Sequence, residues 1–272
     1  MKTYSPLRYP GGKGQIYNMV LSILEKNDLI GCTYIEPFAG GAGIAIRLLF
    51  EGKVNNIIIN DIDRSIYSLW FSILHSTDEL CGMIENTMIN MIEWKNQKDI
   101  QKNKENVSLL ELGFSTLFLN RTNRSGIIKA GVIGGKKQNG TYKLDCRFNK
   151  PKLIELIRKI ASFKKNISVF NDDAKTFIEK IRNMDNQFYF IDPPYFDKGR
   201  NLYTNFFNED DHEDLAIYIK NNLFDHSLLI SYDKCPQIEK LYKEFKSETV
   251  LLNYSVQTKK KGEELFFTHN II

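Results

Sequence analysis

The chain has 272 residues, 42% hydrophobic and 26% charged, with a net charge of +4 at neutral pH. These values exclude a disordered or fibrous chain and leave room for one large core with a smaller appended domain. No apolar leader opens the sequence and no uninterrupted apolar run reaches a membrane span, so the expectation is a soluble intracellular protein with no membrane partner.

In chain order, residues 13–26 have the period of an amphipathic helix. Residues 33–38 read as a short strand running into a glycine turn, and 42–50 as the helix that leaves it. Residues 56–60 form a buried strand ending at Asp61, and 64–87 carry one long helical period. The alternation then stops. Residues 88–106 are polar, 107–120 form a strongly apolar helix, and 125–149 are glycine-rich and aperiodic. The span 88–165 reads as an insertion of mixed character. Alternation resumes with a strand at 167–170, a helix at 174–182, a buried strand at 188–191, a helix at 213–221, a strand at 227–231 and a helix at 237–245. Two strands, 248–257 and 264–271, close the chain as a hairpin around a linker that carries Lys259, Lys260 and Lys261.

Strands alternating with helices predict an α/β fold with a mostly parallel sheet covered on both faces. Ligands of such sheets sit beyond the carboxyl ends of the strands. The cysteines (Cys32, Cys81, Cys146, Cys235) form no CxxC pair and the histidines no ligand spacing, so four buried free thiols are expected and no metal site. Charge is uneven: residues 121–165 hold thirteen Lys/Arg against two Asp/Glu, +11 against −7 for the rest. That block suits a polyanion, or equally a solvated basic face.

Five motifs stand at element ends. Glu36-Pro37-Phe38-Ala39-Gly40-Gly41-Ala42-Gly43 joins a strand to a helix through glycines that let a ligand approach the backbone. It lacks the Gly-Lys-Ser/Thr of a phosphate loop and is not GxGxxG. Asp61 ends the next strand roughly twenty residues on, where an acid can bind ribose hydroxyls; the plain alternative is a turn or cap, with Asp63 also placed to cap. Asp192-Pro193-Pro194-Tyr195 follows a buried strand, where two prolines fix an extended turn. Its carboxylate and carbonyls can accept hydrogen bonds from an exocyclic amine. Arg8-Tyr9-Pro10-Gly11-Gly12-Lys13 puts a cation and an aromatic beside a flexible turn, or simply enters a helix. Asn120-Arg121-Thr122-Asn123-Arg124-Ser125 offers side chains that pair with adenine and guanine edges or hold phosphates; the alternative is a cationic helix end.

Taken together and in this order, these motifs resemble the Dam-type family of DNA adenine-N6 methyltransferases. Tyr9-Pro10-Gly11-Gly12-Lys13 narrows the likeness to that family, and Lys261-Gly262-Glu263-Glu264-Leu265 looks like its C-terminal hairpin. The resemblance implies a Rossmann-like methyltransferase fold: a catalytic domain of 1–87 and 166–272, and an inserted, mainly helical target-recognition domain of 88–165. It implies S-adenosylmethionine as cofactor, S-adenosylhomocysteine as product and no metal. Tyr9, Pro10, Gly11, Gly12 and Lys13 would contact the cofactor. Glu36, Phe38, Ala39 and Gly40 would line its methionine end, Asp61 would hold its ribose, and Asp173, with Asp172 competing, its adenine.

The same resemblance makes Asp192, Pro193, Pro194 and Tyr195 catalytic. Asp192, also beside the cofactor, and Pro193 would accept hydrogen bonds from N6 of a flipped adenine, while Tyr195 stacks on it; Tyr195→Phe would then keep most activity. Asn120, Arg121, Asn123, Arg124, Ser125, Lys129, Lys136, Lys137, Lys143 and Arg147 would meet duplex DNA. Transfer would be direct and in line. The implied setting is the cytoplasm of a bacterium or phage-infected cell, one chain acting per duplex, with a cognate restriction endonuclease or alone. Cytosine-N4 or RNA methylation, and a non-catalytic DNA-binding module, are the alternatives at this point. Ala42 replaces a glycine common in the family, and the residues after Arg121 are not those expected for a GATC reader.

Overall fold

Residues 33–36 and 187–191 are buried at every position, as strands covered on both faces must be. The computed structural model of the chain describes residues 4–8, 13–196, 207–256 and 258–271, and the backbone alone for 252–256 and 258–261. The strands are β1 (Thr33–Glu36), β2 (Asn56–Asn60), β3 (Ile167–Phe170), β4 (Gln187–Ile191), β5 (Ser227–Asp233), β6 (Lys246–Val256) and β7 (Thr258–His269). They form one seven-stranded sheet in the order β3-β2-β1-β4-β5-β7-β6. β1 to β5 pair in parallel, and β7 runs antiparallel to both β5 and β6. This is the expected Rossmann-like methyltransferase fold with its C-terminal hairpin. Lys259, Lys260 and Lys261 lie within β7 rather than in a linker, because the hairpin pairs through to Val256↔Thr258.

By compactness the chain divides into two units, Lys13–Ile62 with Asn166–Ile272, and Met1–Gly12 with Asp63–Lys165. The first holds the sheet. A 3-10 turn (Lys13–Ile16) leads into α1 (Tyr17–Lys26), and α2 (Gly43–Phe50) follows β1. α8 (Ala174–Ile181) and the helix Glu209–Asn222 contribute Phe177, Ile178, Ile181, Leu215 and Ile219 to a core with Ile35, Tyr189, Ile191 and Ile230 of the sheet.

The second unit is helical and takes in residues 63–87 together with 88–165. The single helix expected over 64–87 is two, α3 (Arg64–His75) and α4 (Thr77–Asn86), because Ser76 leaves the helical region at φ −135°, ψ 44°. Two helices were not foreseen. α5 (Met91–Lys102) is capped by Asn90, whose side chain accepts from Glu93 N at 2.9 Å. It buries only Trp94 and Gln97, so it shows little amphipathic period. α7 (Lys150–Ala161) is capped by Asn149, with proline in its first turn.

α6 (Leu109–Thr122) is buried nearly all round and forms the unit's axis. Gly113 lets it approach α3: a Cβ there would lie 2.6 Å from the Ser68 carbonyl oxygen and from Ser72 Oγ. The cysteines are free thiols, but Cys146 is exposed, since it belongs to the irregular basic stretch and not to a helix or strand. No helix among the described residues is long and apolar enough to cross a membrane.

Candidate active site

The strand order reverses between β1 and β4. At such a switch point the loops leave neighbouring strands in opposite directions and open a crevice at the carboxyl edge. Glu36-Pro37-Phe38 leaves β1 there, and Asp192-Pro193-Pro194-Tyr195 leaves β4.

The glycine turn is held from β2. Ala39 N donates to the Asn60 carbonyl at 2.9 Å, and Gly40 N to Asp61 Oδ2 at 2.9 Å. Gly40 has φ 46°, in the left-handed region open to glycine, and Ala42 enters α2 at φ 43°. Asn60 is the brace of this edge. Its Nδ2 donates to the carbonyls of Pro37 (2.9 Å) and Asp172 (3.0 Å), and its Oδ1 accepts from Asp172 N (2.9 Å). One buried amide thereby ties the ends of β1, β2 and β3. The two acids after β3 divide their work: Asp173 caps α8 through Lys175 N at 3.0 Å, and Asp172 pairs with Lys180 at 2.7 Å.

Glu36 is 4% exposed. Burial, and then the neighbouring Asp192, push its carboxyl up to about 8. Asp192 is also pushed upward by burial, with Lys13 opposing the rise. Its Oδ1 accepts from Ser231 Oγ of β5 at 2.6 Å and faces Lys13 Nζ at 3.1 Å. No described residue engages Oδ2, and the side chain is 21% exposed.

Lys13 was expected to be offered to the cofactor. Its ammonium is instead 2.7 Å from Glu264 Oε2 and hydrogen-bonded to the Tyr195 hydroxyl, which in turn donates to Glu264 Oε1. Tyr195, expected to stack on the flipped base, has little exposed surface. The residue is 3% exposed and its hydroxyl is tied into this cluster. Phe196 N, the next residue, donates to Asp233 Oδ1 at 3.0 Å, so β5 holds the turn at two points. Phe38 packs edge-on against Phe207 at 5.9 Å, and Ala39 is buried. Tyr9, Pro10, Gly11 and Gly12 lie outside the described residues.

In the helical unit the asparagines expected to meet DNA hold internal partners. Asn120 accepts from Arg8 N and donates to the carbonyls of Arg8 and Gly126. Asn123 accepts from Trp94 Nε1 at 2.7 Å and donates to the carbonyls of Ile127 and Ile128. Both are buried, with their amides spent on internal partners. Gly126, at φ 78°, permits the close approach: a Cβ there would lie 2.2 Å from the Arg8 carbonyl oxygen. Arg121 donates to the Pro6 carbonyl, and burial and the nearby Arg8 lower it to about 10. Arg8 is itself lowered by burial and by Arg147. Arg8 is thus repelled by both of the other guanidiniums, and no carboxylate pairs with any of the three among the described residues. Arg124, Lys129, Lys136, Lys137, Lys143 and Arg147 are exposed, while Ser125 is half-buried in the left-handed region at φ 57°.

The family model described as D12 class N6 adenine-specific DNA methyltransferase matches residues 9–256 of the chain. The chain belongs to this family. It is an adenine-specific DNA methyltransferase, and its substrate is DNA. A relative named Type II methyltransferase M.MjaIII, from Methanocaldococcus jannaschii, is 25% identical over 233 residues, covering 79% of this chain and 78% of its own. Solved structures overlap it more loosely. PH1948 of Pyrococcus horikoshii, provisionally assigned as an RNA methyltransferase, gives a TM-score of 0.47 at 11% identity, over 98% of this chain and 89% of that one. The provisionally assigned methyltransferase yhhF of Escherichia coli gives 0.38 at 13% identity, over 97% and 91%. Likeness at that level decides nothing about substrate.

Three residues at this edge of the sheet had no role of their own in the sequence reading: Asn60, Ser231 and Glu264. Asn60 precedes Asp61 at a strand end, where an amide can reach two neighbouring strands. Ser231 carries no local signal and Glu264 only its place in the hairpin motif, since what each of them meets depends on which strands pair.

Proposed function

We propose that this D12 methyltransferase moves the methyl group of S-adenosylmethionine to N6 of an adenine turned out of duplex DNA, at a short recognition site. The observation that carries the reading is Asp192 at the switch point, with Oδ1 held by Ser231 and Lys13 and Oδ2 engaged by no described residue. Adenine N6 is a poor nucleophile because its lone pair is delocalised into the ring, so the chain's contribution is geometry. Asp192 Oδ2 and the Pro193 carbonyl accept the two N6 hydrogens and turn the lone pair out of the ring plane, and Pro194 keeps the turn extended. Unstacking the base costs roughly a few kcal/mol, which contacts to the DNA must offset.

The residues at this edge suit the cofactor, which supplies a methyl group on a sulfonium when bound. Glu36 and Asp192 are carboxyls at the ends of neighbouring strands, each pushed up by burial. A cationic ammonium or sulfonium relieves that penalty. Phe38, Ala39 and Gly40 line the same turn, Asp61 accepts from the ribose hydroxyls, and Asp173 is the acceptor offered to the adenine end. Lys13 acts on Asp192 rather than on the cofactor.

On the helical unit, Arg8, Arg121 and Arg147 with the exposed Arg124, Lys129, Lys136, Lys137 and Lys143 form a cationic surface for DNA phosphates. This unit, including 88–165, is the target-recognition part. The relative's name denotes a Type II methyltransferase; for this chain the proposed role is protection of the sites of a cognate restriction endonuclease.

Single-molecule sequencing of genomic DNA from a methylation-deficient host, with and without this chain, tests the reading. N6-methyladenine confined to one short motif is expected and names the site. N4-methylcytosine would move the acceptor. No modification from a protein that binds S-adenosylmethionine would overturn the proposal.

A further inference from the structure

The C-terminal hairpin brings a fully buried carboxylate into the site. β7 pairs with β5 in the register Asp233↔Glu264, two residues beyond Ser231, which holds Asp192. Glu264 is 0% exposed, and a buried carboxylate survives only with partners that compensate its lost hydration. Those partners are Lys13 on Oε2 and the Tyr195 hydroxyl on Oε1. Lys13 joins the two acids: it is 2.7 Å from Glu264 and 3.1 Å from Asp192. An ammonium has three hydrogens and no acceptor. Here they point to Glu264, the Tyr195 hydroxyl and Asp192, so none is left over.

One cation shared by two carboxylates sits closer to one than the other. Glu264 takes the short contact. Were it neutral, Asp192 would be the anion left in direct contact with Lys13 and would draw the ammonium onto itself, engaging the carboxylate whose second oxygen stands open. Glu264 also pins the end of Tyr195 and with it the far end of the Asp192–Tyr195 turn.

We infer that Glu264 is a positioning residue of the methylation site: by binding Lys13 and Tyr195 on its two oxygens it sets the distance of the ammonium from Asp192 and leaves Asp192 Oδ2 open to the adenine amine. The inference rests on the reading of Asp192 given above.

The test compares the full-length wild type with Glu264→Gln, Lys13→Met and the double variant. Duplex methylation kinetics are followed, with S-adenosylmethionine affinity measured separately by calorimetry. Displacing an acceptor by about an ångström costs about 10²-fold in turnover. Glu264→Gln is therefore expected to lose about that factor in kcat, while KM for DNA and the cofactor affinity stay within about threefold. Because Glu264 acts through Lys13, the double variant should be no slower than Lys13→Met alone.

Unimpaired kcat in Glu264→Gln, or losses that multiply in the double variant, overturns the inference. If Glu264→Gln does not fold, the paired change decides. Folded protein regained on adding Lys13→Met supports the coupling, since a broken buried pair harms more than an absent one; no recovery overturns it. A wild type that forms no N6-methyladenine sinks the reading of Asp192 itself, whereas an active wild type with an equally active Glu264→Gln sinks only the inference.

Discussion

Asn120 grips the backbone of Arg8 from both sides: its Oδ1 accepts the Arg8 N–H at 2.7 Å and its Nδ2 donates to the Arg8 carbonyl at 2.9 Å. An amide side chain with one acceptor and two donors is matched to a peptide unit in this way. The grip fastens the N-terminal segment to the end of α6, and the third contact, to the Gly126 carbonyl, fixes the turn beyond it.

Asn120→Ala should therefore act on stability. It strips partners from buried backbone groups, at about 1–3 kcal/mol for each one left unsatisfied. The expected outcome is a lower melting temperature and faster amide exchange at Arg8. An unchanged melting temperature together with relaxed sequence preference on DNA would return Asn120 to the base-reading role.

Tyr195→Phe is expected to be costly, contrary to what a stacking ring alone would imply. The change removes the hydroxyl between Lys13 and Glu264 and one donor from a buried carboxylate. A lost hydrogen bond to a charged group is worth about 1.5–3 kcal/mol, or roughly ten- to a hundredfold in kcat if it is felt in the transition state. Steady-state kinetics of Tyr195→Phe beside Tyr195→Ala check this. Full activity in the phenylalanine variant would show that only the ring matters.

Glu36 makes stability depend on pH in a stated direction. Its carboxyl is raised from the ordinary 4.5 to about 8 in the folded protein, chiefly by burial. Between those values the folded state binds the extra proton, so the Glu36 contribution weakens stability as pH rises through that window. His212 is lowered to about 4 by burial and acts below pH 6.5, where its contribution is lost as pH falls. Thermal melts from pH 6.5 to 9 isolate Glu36. The wild type is expected to lose stability across that range and Glu36→Gln to lose less. An identical slope in both proteins would remove Glu36 as the cause.

Lys136 and Lys137 are exposed on the basic stretch. If each neutralises one phosphate, the slope of log affinity against log salt falls by about 0.9 for each alanine substitution. Titrations of Lys136→Ala and Lys137→Ala on duplex DNA at several salt concentrations measure it. Slopes equal to that of the wild type would take this stretch off the DNA.

The local sequence was enough to place the strands and the motifs at their ends along the chain. Apolar runs at 56–60, 167–170 and 188–191 appear as β2, β3 and β4, and the acids that follow them stand at carboxyl ends because parallel strands all point one way. The weakly periodic α5 and the break at Ser76 were settled by packing and capping instead, whereas α7 carries a clear helical period, burying Leu153, Ile157 and Ile160, that the sequence reading passed over. What pattern alone could not supply was the partner of each polar side chain. Asn120 and Asn123 read as base contacts until their amides proved to be consumed by backbone and by Trp94. Glu264 reads as one charge in a C-terminal hairpin until the antiparallel register of β5 and β7 buries it against Lys13, 251 residues away in sequence. Hydrophobic burial is written in local periodicity. The pairing of a buried charge is set only when distant strands meet, because burial becomes affordable only at the place where the partner already stands.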